Sequence, residues 1–291
     1  MLLLLLEFVA FVGYIMVVLV DTRAGGSYLV VLFISSVVSF LLVVWAVVLF
    51  SETLLLLGFF FKLGFFPFIW WFPYISGLMS YFCYFMFGVV VKIFPLFLVT
   101  YNQLFTVSSL FIVVSLTVFL SLLNLVTNQN NIKVFLAWSS NVNLGWVVLM
   151  MASNWSLGVG YMLLYLTTVS VLLFFLGENN CYWDQFVSSG IVSVLIYMLV
   201  MVSFMGLPPF LGFLCKFMLF NSLVDFNYEQ LGTIIFLVII VLVTFNVFVY
   251  INMLFKLNVL KSIVGYQQGI GIVVLVVFFL FVWFSVALLG V

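Results

Sequence analysis

The chain has 291 residues, of which 68% are hydrophobic and 5% charged, with equal numbers of acidic and basic side chains and no histidine. Soluble domains average about 45–50% apolar residues, so this composition excludes an ordinary soluble fold. The apolar runs are continuous rather than alternating, which predicts membrane helices and excludes a β-barrel. With no basic tract we expect no nucleic-acid partner. Cys83, Cys181 and Cys215 lack metal-ligand spacing, so we expect no metal site in this chain.

Polar segments divide the sequence into about ten apolar stretches of membrane-spanning length. The first is predicted to be a mature span, because it has neither the basic n-region nor the cleavage site of a signal peptide. The predicted spans are 1–20, 28–50, 54–76, 77–101, 104–127, 132–152, 156–177, 188–224, 231–255 and 269–290.

Four ionisable side chains, Glu7, Lys62, Lys92 and Lys216, lie inside these apolar stretches. A charged residue at the centre of a membrane helix costs about 2.5–3.5 kcal/mol on insertion scales. Such residues usually mark a proton or ion path, which is the role predicted here. The alternative is a lysine whose long side chain reaches the membrane surface or, for Glu7, a carboxylate at a membrane edge. Glu52 lies between two spans and is predicted to be an ordinary interfacial residue.

Two of the apolar stretches are predicted to contain helix breaks. Pro67 and Pro73 interrupt the stretch 54–76. Gly206, Pro208 and Pro209 interrupt the stretch 188–224. Proline removes a backbone donor and clashes with the preceding turn, so a helix ends or kinks there. Paired interrupted helices in transporters point to the ion pathway.

The remaining basic residues predict the orientation of the chain. Arg23, Lys133, Lys256 and Lys261 all follow odd-numbered spans, which places them on one face of the membrane. The positive-inside rule makes this the matrix or cytoplasmic face, so both termini are expected on the opposite side. Lys133 is interpreted as an anchor at that face, with a part in proton entry as the alternative.

Residue usage indicates the genome of origin. The 38 phenylalanines, with abundant Leu, Val, Gly and Trp, are encoded by T- and G-rich codons, whereas the rare residues need C- or A-rich codons. Only five prolines are present, although proline is frequent in membrane helices. This bias is typical of animal mitochondrial genomes and predicts an organelle-encoded protein.

Four motifs then occur in order along the chain. Residues 62–73 (KLGFFPFIWWFP) resemble the KLG-x-x-PFHFW-x-P motif of the proton-pumping, antiporter-like subunits of respiratory complex I. Residues 206–216 (GLPPFLGFLCK) resemble their GLPP-x-x-GF-x-x-K motif, and Lys92 lies in a segment similar to WQK-x-x-P. Residues 133–146 are similar to K-x-x-AYSS-x-x-H-x-GW. The order of the four motifs is similar to that of the subunit 2 family.

This resemblance implies an all-α fold: a polytopic transmembrane helical bundle with two discontinuous helices. It implies one antiporter-like domain over residues 1–291 that lacks the first four helices of the family. Glu7 then corresponds to the glutamate of the fifth helix. The implied function is that of a core membrane-arm subunit of NADH:ubiquinone oxidoreductase, contributing to proton translocation coupled to electron transfer. NADH, FMN, iron–sulfur clusters and ubiquinone would be bound by other subunits.

The expected partners are complex I subunits 4L and 4, the lateral helix of subunit 5, and membrane lipids such as cardiolipin. The sequence also departs from the family, because Ile69 and Asn143 replace two histidines. Asn143 with Ser139 and Ser140, or ordered water, is therefore the expected polar relay. An Mrp-type cation/proton antiporter subunit and a structural membrane scaffold remain as alternatives, which copurification would separate.

Overall fold

The structure of the protein is a computed structural model, which describes residues 10–15, 27–101, 107–176, 191–206, 212–213, 216–219 and 231–263. The chain divides into two compact units, Met1–Ala152 and Ser153–Val291. The described helices, after a short helical stretch at 10–15, are α1 (Ser27–Val48), α2 (Glu52–Leu63), α3 (Trp71–Ser76), α4 (Tyr81–Phe85), α5 (Val91–Tyr101), α6 (Val107–Thr127), α7 (Ile132–Ser153), α8 (Trp155–Leu176), α9 (Ile191–Met205) and α10 (Leu231–Ile263).

Within the described ranges, six helices are long and apolar enough to cross a membrane. They are Tyr28–Val48, Tyr81–Thr100, Leu110–Thr127, Ile132–Ser153, Trp155–Phe174 and Leu237–Lys256. The prediction of an all-α, polytopic membrane protein is confirmed. The predicted total of about ten spans stays a prediction, since most of 1–20 and all of 269–290 lie outside the described residues.

The first predicted helix break lies between α2 and α3. Gly64 ends α2 in the left-handed conformation (φ 74°), and its N–H donates to the carbonyl oxygen of Phe60 at 2.9 Å. Phe65 N–H donates to the same oxygen at 2.9 Å, so the last turn is closed by a glycine cap. Regular helix resumes only at Trp71, which confirms the break around Pro67.

The prediction for Pro73 was wrong, because this residue lies within α3. It is the third residue of the helix, where a backbone N–H has no intrahelical partner to lose. Proline is therefore compatible with the first turn of α3, and the break is complete before it.

A π-helical turn (Met86–Val90) joins α4 to α5 without interrupting the apolar span. The N–H of Val91 donates to the carbonyl of Met86, five residues earlier, which defines the wider turn. One turn further on, Pro95 lies inside α5 and supplies no N–H for the carbonyl of Val91. Lys92 thus lies between two irregularities of the helix.

The core of the first unit is built around α7, which is almost completely buried. Gly145 allows α7 to approach α6 closely, since a Cβ there would lie 2.7 Å from the Val118 side chain. Gly58 does the same for the contact between α2 and α1, where an added Cβ would lie 2.7 Å from Val43. These contacts place the polar residues of α7 inside the unit rather than at its surface.

The second unit contains α8, α9 and α10. Helix α9 ends at Met205, and Gly206 follows it with φ 75°, so the predicted break at Gly206 is present. Pro208 and Pro209 lie outside the described residues. Helix α10 has 33 residues and is about 50 Å long at 1.5 Å per residue, well beyond the roughly 30 Å of a hydrocarbon core. Lys256 and Lys261 lie in the last part of this helix, and the segment of it that could cross a membrane ends at Lys256.

Candidate functional site

Lys92 is the most deeply buried cation among the described residues, with only 1% of its surface exposed. Its Nζ donates a hydrogen bond to Asn141 Oδ1 at 3.1 Å and lies 4.3 Å from the centre of the Phe72 ring. The ammonium is therefore contacted by a neutral carboxamide and an aromatic face, both of which favour a cation less strongly than a carboxylate does.

Lys62 is buried in the last turn of α2, next to the helix break. It lines a small cavity of about 20 Å³, counted as the space open to the centre of a water molecule. By this measure a single water needs roughly 10–15 Å³, so the cavity has room for one. The other lining residues are Ala10, Tyr14, Leu32, Ser35, Ser36, Trp71, Phe87 and Val91.

Gly64 and Trp71 connect the surroundings of Lys62 and Lys92. A Cβ added to Gly64 would lie 3.7 Å from Trp71 Nε1, 3.8 Å from Asn141 Oδ1 and 3.9 Å from Lys92 Nζ. The Trp71 ring also lines the Lys62 cavity, and its Nε1 donates to the Phe61 carbonyl at 2.8 Å. Gly64 in the first helix break thus lies beside both Trp71 and Lys92, and Trp71 also lines the cavity that Lys62 lines.

The residues of the predicted polar relay are buried on α7, where they make hydrogen bonds along their own helix, and their role as a relay stays a prediction. Asn143 Nδ2 donates to the Ser139 carbonyl at 2.9 Å. The hydroxyl of Ser139 donates to Leu136 O and that of Ser140 to Ala137 O. Asn141, which the motif comparison did not single out, is the residue that contacts Lys92.

Lys133 is a second residue whose surroundings the sequence did not reveal. It is buried, and its Nζ donates to the Met79 carbonyl at 2.7 Å and lies 4.8 Å from the centre of the Tyr81 ring. Lys133 is therefore packed inside the unit at the start of α7, and its interpretation as an anchor at the matrix face stays a prediction. The segment between α3 and α4 encloses its side chain and satisfies one of its donors.

In the second unit, Lys216 is buried against the end of α9. Its Nζ donates to the carbonyl oxygens of Phe204 and Met205 at 3.1 and 2.9 Å. These carbonyls belong to the last turn of the helix, where they have no intrahelical donor and where the helix dipole favours a cation. Asn246 of α10 donates to the same Phe204 oxygen at 3.4 Å.

Acidic groups are scarce around these lysines. Glu52 is the one acidic residue within the described ranges, and it is exposed. Glu7 lies outside the described residues, so its predicted pairing with Lys62 stays a prediction. The part of the chain that the structure describes holds no cluster of three His, Cys, Asp or Glu side chains that could bind a metal ion.

The family model described as NADH:quinone oxidoreductase/Mrp antiporter, transmembrane, matches residues 1–245. The chain belongs to this family. It is 31% identical over 218 residues to the protein named NADH-ubiquinone oxidoreductase chain 2 of Anopheles gambiae, covering 73% of this chain and 62% of the relative. The protein of the same name from Aedes aegypti is 28% identical over 204 residues, covering 69% and 58%. The similarity to chain 2 predicted from the motifs is confirmed, and the chain spans less than two thirds of the length of these relatives.

Solved structures share the fold at low sequence identity. A chain of respiratory complex I from Thermus thermophilus with bound aureothin gives a TM-score of 0.75 at 18% identity, covering 86% of this chain and 64% of that one. A chain of the archaeal membrane-bound sulfane sulfur reductase gives 0.72 at 17% identity, covering 98% and 68%. A chain of the Mrp complex from Dietzia sp. gives 0.56 at 15% identity, covering 87% and 48%. The antiporter-like fold of this family member is therefore established.

Proposed function

We propose that the chain is subunit 2 of respiratory complex I in the mitochondrial inner membrane. In this role it contributes to proton translocation that is driven by electron transfer from NADH to ubiquinone. FMN, the iron–sulfur clusters and the quinone would be bound by other subunits of the complex. The observation that carries the proposal is the buried ammonium of Lys92, which contacts a neutral carboxamide beside a broken membrane helix.

A buried lysine with a neutral partner is suited to taking up and releasing protons. Burial removes the hydration that favours the charged form, and a carboxamide restores only part of that stabilisation. A modest change in hydration or in a nearby charge then changes which form is favoured. A lysine kept only for structure would have to offset a penalty of several kcal/mol without a fixed counter-charge. The position of Lys92 therefore favours a proton-transfer role.

The proposed path begins with Glu7 and Lys62, continues through Lys92 as the central relay, and ends at Lys216. Asn143, Ser139, Ser140 and ordered water are the proposed links along it. Two observations support its first part: the cavity beside Lys62 can hold a water, and Ala10, which lines this cavity, follows Glu7 by three positions. Lys216 is proposed to serve proton exit or the neighbouring subunit.

The proposed neighbours are subunits 4L and 4, the lateral helix of subunit 5, and lipids such as cardiolipin. Both termini are proposed to face the intermembrane space. A map of the intact complex with other neighbours, or with the termini in the matrix, would contradict these assignments. An Mrp-type antiporter subunit is the second candidate, because the family model covers both groups and an Mrp chain shares the fold. Copurification with quinone reductase subunits rather than Mrp subunits distinguishes the two.

The direct test replaces Lys62 by methionine, whose unbranched side chain is one atom shorter and carries no charge. In assembled complexes carrying Lys62→Met, we expect proton pumping and coupled quinone reductase activity to fall much more than the amount of complex. Removing one member of a buried ion pair costs about 3–5 kcal/mol unless the other member is neutralised, so a proposed Glu7 partner would take up a proton.

Glu52→Gln is the matched control, because Glu52 is exposed at the start of α2, the same helix that carries Lys62. It should leave pumping and assembly close to those of the unmodified complex. Normal pumping in assembled Lys62→Met complexes would exclude Lys62 from the path.

A further inference from the structure

Asn141 has an unusual place for a polar side chain in a membrane helix. It is fully buried in α7, its Oδ1 accepts the hydrogen bond from Lys92 Nζ, and its Nδ2 has no hydrogen-bond partner among the residues that the structure describes. A buried donor left without a partner costs about 1–3 kcal/mol, and most proteins avoid it. The carboxamide is therefore held against the lysine at a cost, which calls for a functional reason.

The surroundings show what Asn141 provides that an acid would not. The described elements packed around Lys92 carry these titratable side chains: Glu52 and Lys62 on α2, Tyr74 on α3, Tyr81, Cys83 and Tyr84 on α4, Lys133 on α7, and Tyr14 in the stretch 10–15. No carboxylate contacts Lys92 within the described ranges, in which Glu52 is the one acidic residue and is exposed. A carboxylate accepts hydrogen bonds but does not donate them, so it would stabilise the ammonium form alone. A carboxamide carries an acceptor and a donor on the same carbon.

We propose that Asn141 is the positioning residue for Lys92, holding its Nζ next to Gly64 and Trp71 in both protonation states. The proposal rests on the proposed function, because it needs Lys92 to exchange protons. When Lys92 is an ammonium, Asn141 Oδ1 accepts one of its N–H bonds, as the structure shows. When Lys92 is neutral, rotation of the carboxamide presents Nδ2, which donates to the lone pair on the lysine nitrogen.

Proton exchange at Lys92 conserves atoms and charge. One N–H bond of the Lys92 ammonium breaks, its electron pair stays on Nζ as the new lone pair, and the proton goes to a water molecule or the next relay group. The reverse step returns a proton to the same lone pair. Asn141 neither gains nor loses a proton in either step. Its donor, which has no partner in the charged state, has one in the neutral state.

The test uses two substitutions of nearly equal size in complexes assembled with the full chain. Asn141→Asp keeps the acceptor oxygens, removes the donor and adds a charge that holds the proton on Lys92. Asn141→Leu removes both donor and acceptor. For each we measure the amount of assembled complex, the rate of proton pumping per complex and the number of protons pumped per electron pair. We expect roughly tenfold slower pumping in both variants, the factor that corresponds to about 1.4 kcal/mol in a barrier.

Thr117→Val is the matched control. Thr117 is equally buried in the first unit, and its hydroxyl donates only to the Val114 carbonyl of its own helix. Loss of that hydroxyl should change neither pumping nor the proton-to-electron ratio. A purely structural role for Asn141 predicts a different result, in which the variants lower the amount of complex but each assembled complex keeps its normal ratio. That result would overturn the proposal.

Lys92→Met distinguishes a failure of the proposed role of Lys92 from a failure of the inference about Asn141. If this variant pumps normally, the proposed role of Lys92 fails and the inference about Asn141 fails with it. If it abolishes pumping while both Asn141 variants pump normally, only the inference about Asn141 is overturned. The double variant with Asn141→Leu and Lys92→Met should assemble better than Asn141→Leu alone, because no uncompensated charge is left. Equal assembly of the two would show that Asn141 does not act through Lys92.

Discussion

Replacing Gly206 by alanine is expected to disturb the proposed proton site at Lys216 in the second unit directly. Gly206 has φ 75°, a conformation that costs an L-residue about 1–2 kcal/mol. The new Cβ would lie 2.8 Å from Cδ, 2.9 Å from Nζ and 3.1 Å from Cε of Lys216. These distances are too short for carbon contacts, so the lysine side chain has to move away from the end of α9.

Movement of Lys216 breaks at least one of its hydrogen bonds to the Phe204 and Met205 carbonyls. A hydrogen bond to a charged group contributes about 1.5–3 kcal/mol. Together with the backbone strain, Gly206→Ala should therefore destabilise this part of the chain by about 3–5 kcal/mol. We expect less assembled complex, faster thermal inactivation, and a lower proton-to-electron ratio in what does assemble.

The control for this experiment is Gly160→Ala. Gly160 lies within α8, and a Cβ there would meet no atom of the described residues within 4 Å. Alanine is the better helix former by up to about 1 kcal/mol, so this variant should be at least as stable as the natural chain. Compared with Lys216→Ala alone, the double variant with Gly206→Ala should show only the added backbone cost of about 1–2 kcal/mol. A Gly206→Ala complex with normal stability and normal pumping would refute the reasoning.

Two further predictions concern the first unit. Gly64→Ala fills open space with a methyl group that makes van der Waals contact with Trp71, Asn141 and Lys92. The positive φ of residue 64 adds a backbone cost of about 1–2 kcal/mol. Pumping should fall more than assembly; an equal fall in both would show that the space beside Gly64 has no role in proton transfer. Lys133→Met removes the donor to the Met79 carbonyl and should destabilise the complex by about 1.5–3 kcal/mol in thermal inactivation assays. An unchanged inactivation temperature would contradict this, since Lys133 would then be dispensable for packing.

The sequence predicted the features that depend on local chemistry. Lys62, Lys92 and Lys216 lie within long apolar stretches of the sequence, so burial was the expected outcome. Gly64 and Gly206 end helices beside the predicted breaks. The extent of the first break was less predictable. Prolines alone do not show where a helix resumes, because proline is as acceptable in a first turn as it is disruptive in the interior.

Contacts between distant segments were not predictable. The motif comparison selected Asn143, but Asn141 contacts Lys92, and two positions on a helix differ by about 200° in direction. A motif identifies a position along the chain and does not say which face meets the partner. Lys133 follows a polar segment and so resembled a surface anchor. Its burial depends on Met79 and Tyr81, more than fifty residues earlier in the sequence.

The wide turn from Met86 to Val90 has a consequence for comparing this chain with its relatives. A π turn contains one residue more than an α-helical turn, so it absorbs an insertion without changing the ends of the span. Everything after it is rotated by about 100° compared with an uninterrupted α-helix. Lys92 lies in the regular helix just beyond this turn. In a relative with an ordinary α-helical turn here, the aligned lysine would therefore point toward a different helix. Identity of the aligned residue therefore does not guarantee identity of its partner.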